Sequence, residues 1–227
     1  MSIVSNRELL RRLPVFAALT DSQVDNISSS LIKQRFRRGS LIIQKGRKND
    51  YFYVLLNGTA EASIINDDGR EVILFDLQVG DYIGESCLLD GGPSEFSVRT
   101  KTQSDVLLLN KQLFIECVSH NPIFVKSLLL KAVWSLRRAN DKIEVIALHP
   151  VHVRVHKELI KMSRVDSKDR HVIHGRVSRQ LIARKVGASR EMVSRVLKDF
   201  EQKDMIKTVR DEKCVYLTEM FFRGFID

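Results

Sequence analysis

Residues 177–206 read VSRQLIARKVGASREMVSRVLKDFEQKDMI, and this stretch decides how the rest of the chain is taken. Ser178 stands where an N-cap belongs, at the head of a helix over Ser178–Val186 whose inner side would hold Leu181, Ile182 and Val186. Gly187 allows a tight turn between helices. A second helix, Arg190–Gln202, carries Val193, Val196, Leu197 and Phe200 at i, i+3, i+4 and i+7, which makes one buried face. Arg190, Glu191, Ser194 and Arg195 fall on the other side, with Arg190/Ser194 and Glu191/Arg195 as i,i+4 neighbours. An arginine can present a two-pronged fork to guanine O6 and N7, and a carboxylate can accept from the cytosine amino group. Ser178, Arg179, Ser189 and Lys198 sit where helix N-termini and flanks meet phosphates. Arg and Glu also share many ordinary solvated helix faces, so the surroundings of this pair of helices have to separate the two readings.

Downstream, Met205–Thr208 and Cys214–Leu217 read as a hairpin around Arg210–Lys213. Upstream lie a helix over Val151–Met162 and the polar segment Ser163–Arg170. Charge supports the nucleic-acid reading. Residues 148–227 hold 18 Lys and Arg against 11 Asp and Glu, a balance of +7, whereas residues 1–147 hold 19 against 17, only +2 of the total of +9. A basic third beside a near-neutral remainder points to one domain that meets a polyanion.

Further upstream, Asn121-Pro122 starts a long helix, an Asn cap followed by Pro at the first helical position, that runs to about Leu148 ahead of His149-Pro150. Its apolar residues fit a heptad. Pro122, Leu129, Leu136 and Ile143 take position a, and Val125, Ala132, Ala139 and Ile146 take position d, the pattern of a two-stranded seam. Leu128, Val133 and Trp134 are left over to pack on a neighbouring domain. That domain is read from Gly39 to Asn110. Short β-branched and aromatic runs (Leu41–Gln44, Tyr51–Leu56, Ala60–Ile65, Val72–Leu77, Val106–Leu109) alternate there with turns at Gly39, Gly46, Gly58, Gly69 and Gly80. Helices over Arg7–Leu13 and, after a Thr20 cap, Asp21–Leu31 precede it. The expected fold is α+β: a β-rich domain over 1–120, a sandwich, barrel or roll by its strand spacing, then a dimerisation helix and hinge over 121–148, and a basic DNA-binding domain over 149–227.

The quoted stretch resembles the winged helix-turn-helix of the CRP/FNR transcription regulators, and the resemblance extends over almost the whole chain. LPVFAALTDSQVDNI (13–27) is similar to that family's entry helices. RRGSLIIQKG (37–46), YFYVLLNGTAEASI (51–64) and VGDYIGESCLLDGGPSEFSVRTKT (79–102) resemble its cyclic-nucleotide-type roll, and NPIFVKSLLLKAV (121–133) resembles its dimerisation helix. SREMVSRVLK (189–198) matches the family's recognition-helix pattern. The resemblance implies a cytoplasmic homodimer that reads a palindromic TGTGA-like operator in double-stranded DNA, with Arg190 and Arg195 on guanines and Glu191 on the opposing cytosine. RNA polymerase is an expected further partner; activator or repressor is left open.

In the roll, Val79-Gly80-Asp81 and Ile83-Gly84-Glu85 resemble the family's phosphate-binding cassette. Such a cassette needs backbone N–H groups beside glycine, one cation for the phosphate and a carboxylate for ribose hydroxyls. Gly84 and Glu85 fit the first and last. Counted rightward from Gly84-Glu85, the family's Arg falls on Glu95; counted leftward from Val98-Arg99, it falls on Ser94. Neither is a cation, and Arg99 substitutes only if the strand register slips. The two adenine-contacting hydroxyl positions of the long helix correspond to Ala139 and Asn140. Cyclic AMP control is therefore not expected. A different effector such as cyclic di-GMP, no effector at all, and control by redox or a partner stay open. A regulatory nucleotide-binding subunit of another protein is a remoter alternative.

Several classes drop out. No run of about 18 apolar residues marks a membrane span, and MSIVSNRELLRRLPVF (1–16) has no apolar core of a secretory signal. Cys87, Cys117 and Cys214 share no short spacing for a cluster or all-cysteine zinc site, and Cys214 is read as a buried thiol rather than a redox sensor. His149, His152 and His156 lie nearly on one helical face, and His171 and His174 form a second pair, yet neither has a carboxylate or thiolate at ligand spacing, so no metal is expected. No G-x-S-x-G, H-E-x-x-H or P-loop occurs, no catalytic residue is assigned, and an enzyme is not expected.

Overall fold

A computed structural model describes residues 6–17, 19–175, 177–209 and 214–223. By contacts the chain divides into two compact units, Met1–Ile64 with Ile73–Arg137, and Ile65–Val72 with Arg138–Asp227.

The first unit opens with α1 (Asn6–Arg12), a short 3-10 turn (Pro14–Phe16) and α2 (Asp21–Ser30). The Thr20 hydroxyl accepts from the Gln23 N–H while the Gln23 side chain accepts from the Thr20 N–H, a reciprocal cap that fixes where α2 begins. Eight strands follow: β1 (Ile32–Phe36), β2 (Leu41–Ile43), β3 (Tyr51–Asn57), β4 (Ala60–Ile65), β5 (Glu71–Leu77), β6 (Tyr82–Ile83), then, after helix α3 (Glu85–Asp90), β7 (Ser97–Thr100) and β8 (Ser104–Asn110). They form two four-stranded sheets in the orders β1-β8-β3-β6 and β2-β7-β4-β5. Alternation along each strand divides the apolar residues between two cores. Ile43, Leu55, Ala62, Ile83, Val98 and Val106 fill the inside of the roll. Phe52 and Leu107 instead meet the helices, where the rings of Phe16, Phe114 and Phe124 surround Phe52. Phe114 belongs to α4 (Lys111–His120), capped by Asn110.

Helix α5 (Pro122–Leu148) has the limits expected from its Asn-Pro start, and the Asn121 side chain accepts from the Phe124 N–H at 2.9 Å. Phe124 and Leu128, one turn apart, are buried in the helix-side core. Val133 and Trp134 are not: they are 46% and 60% exposed, which corrects the expectation that they pack on the roll. At 3.6 residues per turn they lie roughly 140° and 120° around the helix from Leu128, on either side, and turn away from the sheet.

The second unit contains α6 (Val151–Met162), β9 (Arg164–Val165), β10 (His171–His174), α7 (Arg179–Val186), α8 (Arg190–Gln202), β11 (Ile206–Val209), β12 (Cys214–Leu217) and α9 (Glu219–Arg223). The strands make one antiparallel sheet in the order β11-β12-β10-β9. Val155, Leu159, Ile182, Val193, Phe200 and Phe221 form its core. The inner side of α7 is Ile182, Ala183 and Val186; Leu181 is only half-buried, a small departure from the sequence reading. The tip of the β11–β12 hairpin, Arg210–Lys213, lies outside the described residues.

Candidate nucleic-acid interface and sensor site

The α7–α8 pair is set by its ends as much as by its core. Ser178 caps α7 by accepting from the Leu181 N–H, and Ser189 caps α8 by accepting from the Met192 N–H, both at 3.2 Å. Gly187 takes the left-handed conformation (φ 65°, ψ 45°) that ends α7, and its N–H donates to the Ala183 carbonyl. Arg154 of α6 donates to the Val186 and Gly187 carbonyls, so a cation meets the negative end of the α7 dipole. Lys185 pairs with Glu158 at 2.8 Å, a second tie between α7 and α6.

Burial of Val193, Leu197 and Phe200 then fixes which side of α8 faces out. Arg190, Glu191, Met192, Arg195 and Lys198 are exposed, and Ser194 is half-buried. Ser178 and Arg179 are exposed at the start of α7. Among the described residues, Arg179, Arg190, Arg195 and Lys198 form no salt bridge. The Glu191 carboxyl is held below its ordinary value, first by its own backbone N–H, then by the Ser189 hydroxyl and the Arg190 and Arg195 charges, so it is an ionised acceptor at neutral pH. Met192 is also exposed at the start of α8, an apolar side chain that the charge pattern did not flag.

In the roll, Gly84 has φ 95° and precedes α3. A Cβ there would come 2.5 Å from the Tyr51 carbonyl and 2.7 Å from Asn49 Nδ2, so the chain can pass this point only as glycine. Glu85 follows and pairs with Lys131 of α5, Oε1 to Nζ, at 2.8 Å. The remaining candidate residues are turned to other tasks. Ser94 is buried: its hydroxyl donates to the Phe96 carbonyl at 2.8 Å, its N–H donates to the Arg47 carbonyl, and its own carbonyl accepts from the Gly46 N–H. Glu95 is exposed and accepts from the Ser86 hydroxyl at 3.2 Å. Arg99 pairs with Glu61 of β4 in regular register and with Leu41 of β2 beside a register shift between Leu41 and Ile43, and it donates to the Gly39 carbonyl at 2.6 Å. Asn140 is exposed on α5. The space inside the roll, lined by Ile42, Tyr53, Leu55, Ala60, Leu77, Asp81, Ile83, Val98 and Val106, has a volume of about 10 Å³, roughly one water molecule's room. The structure thus leaves Glu95 to the Ser86 hydroxyl and brings Glu85, beside Gly84, together with a cation the sequence reading missed, Lys131. Its only signal in the sequence is its place seven residues after Phe124 and three after Leu128, on the side of α5 that meets the roll.

Comparison with known proteins agrees with both halves. A cyclic nucleotide-binding domain profile matches residues 33–121, and the profile of the bacterial regulatory proteins of the crp family matches residues 176–206. The chain is 26% identical over 204 residues, 88% of its length and 91% of the relative's, to the CRP-like cAMP-activated global transcriptional regulator of Mycobacterium tuberculosis. Among solved structures, a crp/fnr-family transcriptional regulator from Eubacterium rectale superposes with a TM-score of 0.77 at 18% identity, covering 92% of this chain and 96% of that one. The c-di-GMP-responsive regulator CLP of Xanthomonas campestris superposes with a TM-score of 0.72 at 23% identity, covering 87% and 99%. The chain belongs to the CRP/FNR family of transcription regulators.

As in its relatives, the helix-turn-helix of this CRP/FNR regulator is a DNA-binding element rather than part of an enzyme. Along α5, Leu129, Leu136, Ile143 and Ile146 are 63%, 63%, 64% and 43% exposed, Ala132 and Ala139 are exposed, and Val125 is half-buried. A stripe of exposed apolar side chains therefore runs down α5 beyond the buried Phe124 and Leu128. The tempting histidines do not converge. His149 Nε2 lies 2.8 Å from Lys157 Nζ, whereas His156 is buried, stacked 4.2 Å from Phe221, with Nε2 donating to the Phe221 carbonyl at 2.8 Å. Among the described residues no three His, Cys, Asp or Glu side chains are grouped to hold a metal. All three cysteines are buried; burial pushes the Cys117 thiol up to about 12 and raises Cys87 as well. No single described helix is long and apolar enough to cross a membrane.

Proposed function

We propose that this regulator works in the cytoplasm as a homodimer joined along α5 and reads a palindromic, TGTGA-like operator with α8, without control by cyclic AMP. The observation that carries the reading is the outward face of α8: Arg190 and Arg195 without salt bridges, beside an ionised Glu191, on a helix whose opposite face is locked in the core. Those groups match the guanine and cytosine edges of the major groove. Ser178, Arg179, Ser189 and Lys198 supply phosphate contacts around them. The exposed residues Leu129, Ala132, Leu136, Ala139, Ile143 and Ile146, with the half-buried Val125 at their head, support the dimer, because a two-fold protein places two reading helices about one DNA turn apart. RNA polymerase is the further partner this reading implies.

Against cyclic AMP stand the absence of a cation at Ser94 or Glu95 and the outward engagement of Arg99. A second reading, a cyclic nucleotide- or cyclic di-GMP-gated regulator, draws on the matched cyclic nucleotide-binding domain. Selection of bound DNA from a random pool tests the main reading. It should return a TGTGA-like inverted repeat; recovery of unrelated or unpaired sites sinks it. Isothermal calorimetry against cyclic mono- and dinucleotides separates the two forms of control.

A further inference from the structure

The polar groups around the cassette are taken by protein partners. Ser86 bonds Glu95, the Ser94 hydroxyl bonds the Phe96 carbonyl, and Arg99 bonds the Gly39 carbonyl. Glu85, the carboxylate that a ribose would need, is held by Lys131 at 2.8 Å, and the two side chains are only 24% and 23% exposed. The Lys131 ammonium also donates to the Tyr82 carbonyl and stands 3.8 Å from the centroid of the Tyr82 ring. The Tyr82 hydroxyl in turn donates to the Ser127 carbonyl of α5 at 3.2 Å, so cassette and helix are tied twice. Half-withdrawn from water, such a pair attracts more strongly than one on the surface, and loss of either partner leaves a poorly solvated charge behind.

The placement of Lys131 has a mechanical consequence. It continues the line of Phe124 and Leu128 by which α5 packs on the roll, so the ion pair sits where a ligand bridging cassette and helix would act. A ligand shifts a sensor only through contacts that differ between its two states. A lysine built into the chain makes such a contact at a high and constant effective concentration. We infer that the Lys131–Glu85 pair is a built-in substitute for an effector, holding α5 in its DNA-binding setting without a ligand. This inference rests on the proposed DNA-binding function.

The test uses the full-length protein with no nucleotide added and DNA selected by the wild type. Lys131→Met and Glu85→Gln should each weaken DNA binding at least tenfold and speed hydrogen exchange of the α5 amides between Phe124 and Ala132. The charge-exchanged double variant, Glu85→Lys with Lys131→Glu, should recover most of both, which separates loss of the pair from simple misfolding. Wild-type affinity in both single variants overturns the inference, as does a double variant no better than the singles. So does a tenfold gain of wild-type DNA affinity on adding cyclic AMP or cyclic di-GMP, because the pair would then be a lock that a ligand opens. If the wild type selects no DNA sequence, it is the DNA-binding proposal that fails, and unchanged hydrogen exchange in both single variants then overturns the strut separately.

Discussion

Arg195 and Lys198 lie three residues apart on α8, both exposed, yet the proposed complex gives their charges different work. Arg195 stands opposite the Val193, Leu197 and Phe200 face, where a guanidinium fork reaches base edges; Lys198 is a turn further from the helix N-terminus and meets phosphate. Arg195→Ala should therefore lose about 1–3 kcal/mol on the selected operator and relax preference at one base pair. Lys198→Ala should weaken binding to all sequences alike and lower the salt slope by about one. Fluorescence anisotropy over a salt series, on operator and random DNA, distinguishes them; equal losses on both DNAs for Arg195→Ala would remove it from base reading. His156 offers a prediction of another kind. Burial lowers its pKa from the ordinary value of 6.5, against a smaller opposing effect of the Phe221 carbonyl. Below that value the unfolded chain binds a proton that the folded chain resists, so stability falls as pH drops. The melting temperature should decline from pH 7.5 to 5.5, and His156→Gln should flatten the decline; an unchanged slope refutes the assignment.

Among the elements, those set by local rules were legible and those set by tertiary pairing were not. The sequence reading placed α5, α6 and α8 at their observed limits because each has a readable start and a period of 3.6, and the Thr20 and Ser178 caps are where it put them, whereas Ser189, which it read only as a phosphate contact, also caps α8. It passed over β1, whose residues IKQRF are mostly exposed and are a strand only because they pair with β8 at the sheet edge. β9 has two residues and β7 reads SVRT; neither has length or apolar alternation enough to stand out. The outward face of α8 was readable because it needs only the helical period. Lys131 was not, because its role depends on which face of α5 meets the roll, and the expectation for Val133 and Trp134 went wrong on the same point. The exposed a/d stripe of α5 leads to a prediction at this scale. Leu136→Glu with Ile143→Glu places charges in the proposed seam, where burial without partners is prohibitive. Sedimentation should show monomers, with DNA affinity reduced by the loss of the second half-site; a dimer with normal DNA binding would place the interface elsewhere.

For the whole molecule, the question is whether the roll takes the ligand named for its cAMP-activated relative. The fold alone cannot decide this, since the roll and the helix-turn-helix survive in proteins whose names carry different effectors. The side chains can. A cyclic phosphate brought to this cassette meets Glu95 and a Ser94 hydroxyl already committed to the Phe96 carbonyl, while the nearby cation, Lys131, is engaged by Glu85 and the Tyr82 carbonyl. To recruit Lys131, the phosphate would have to strip it from Glu85, losing one charge-assisted contact to make another. Net gain is therefore small, and cyclic AMP at millimolar concentration should leave the melting temperature and operator affinity nearly unchanged. The measurement has ample range. A ligand present at a hundred times its dissociation constant stabilises the folded state by about 2.7 kcal/mol, which for a chain of this size amounts to roughly 5–10 °C. A saturable shift of that size with a micromolar midpoint would mean that the phosphate finds its cation after all. The same titration repeated on Lys131→Met would then say whether that cation is Lys131, because the shift would disappear with the ammonium.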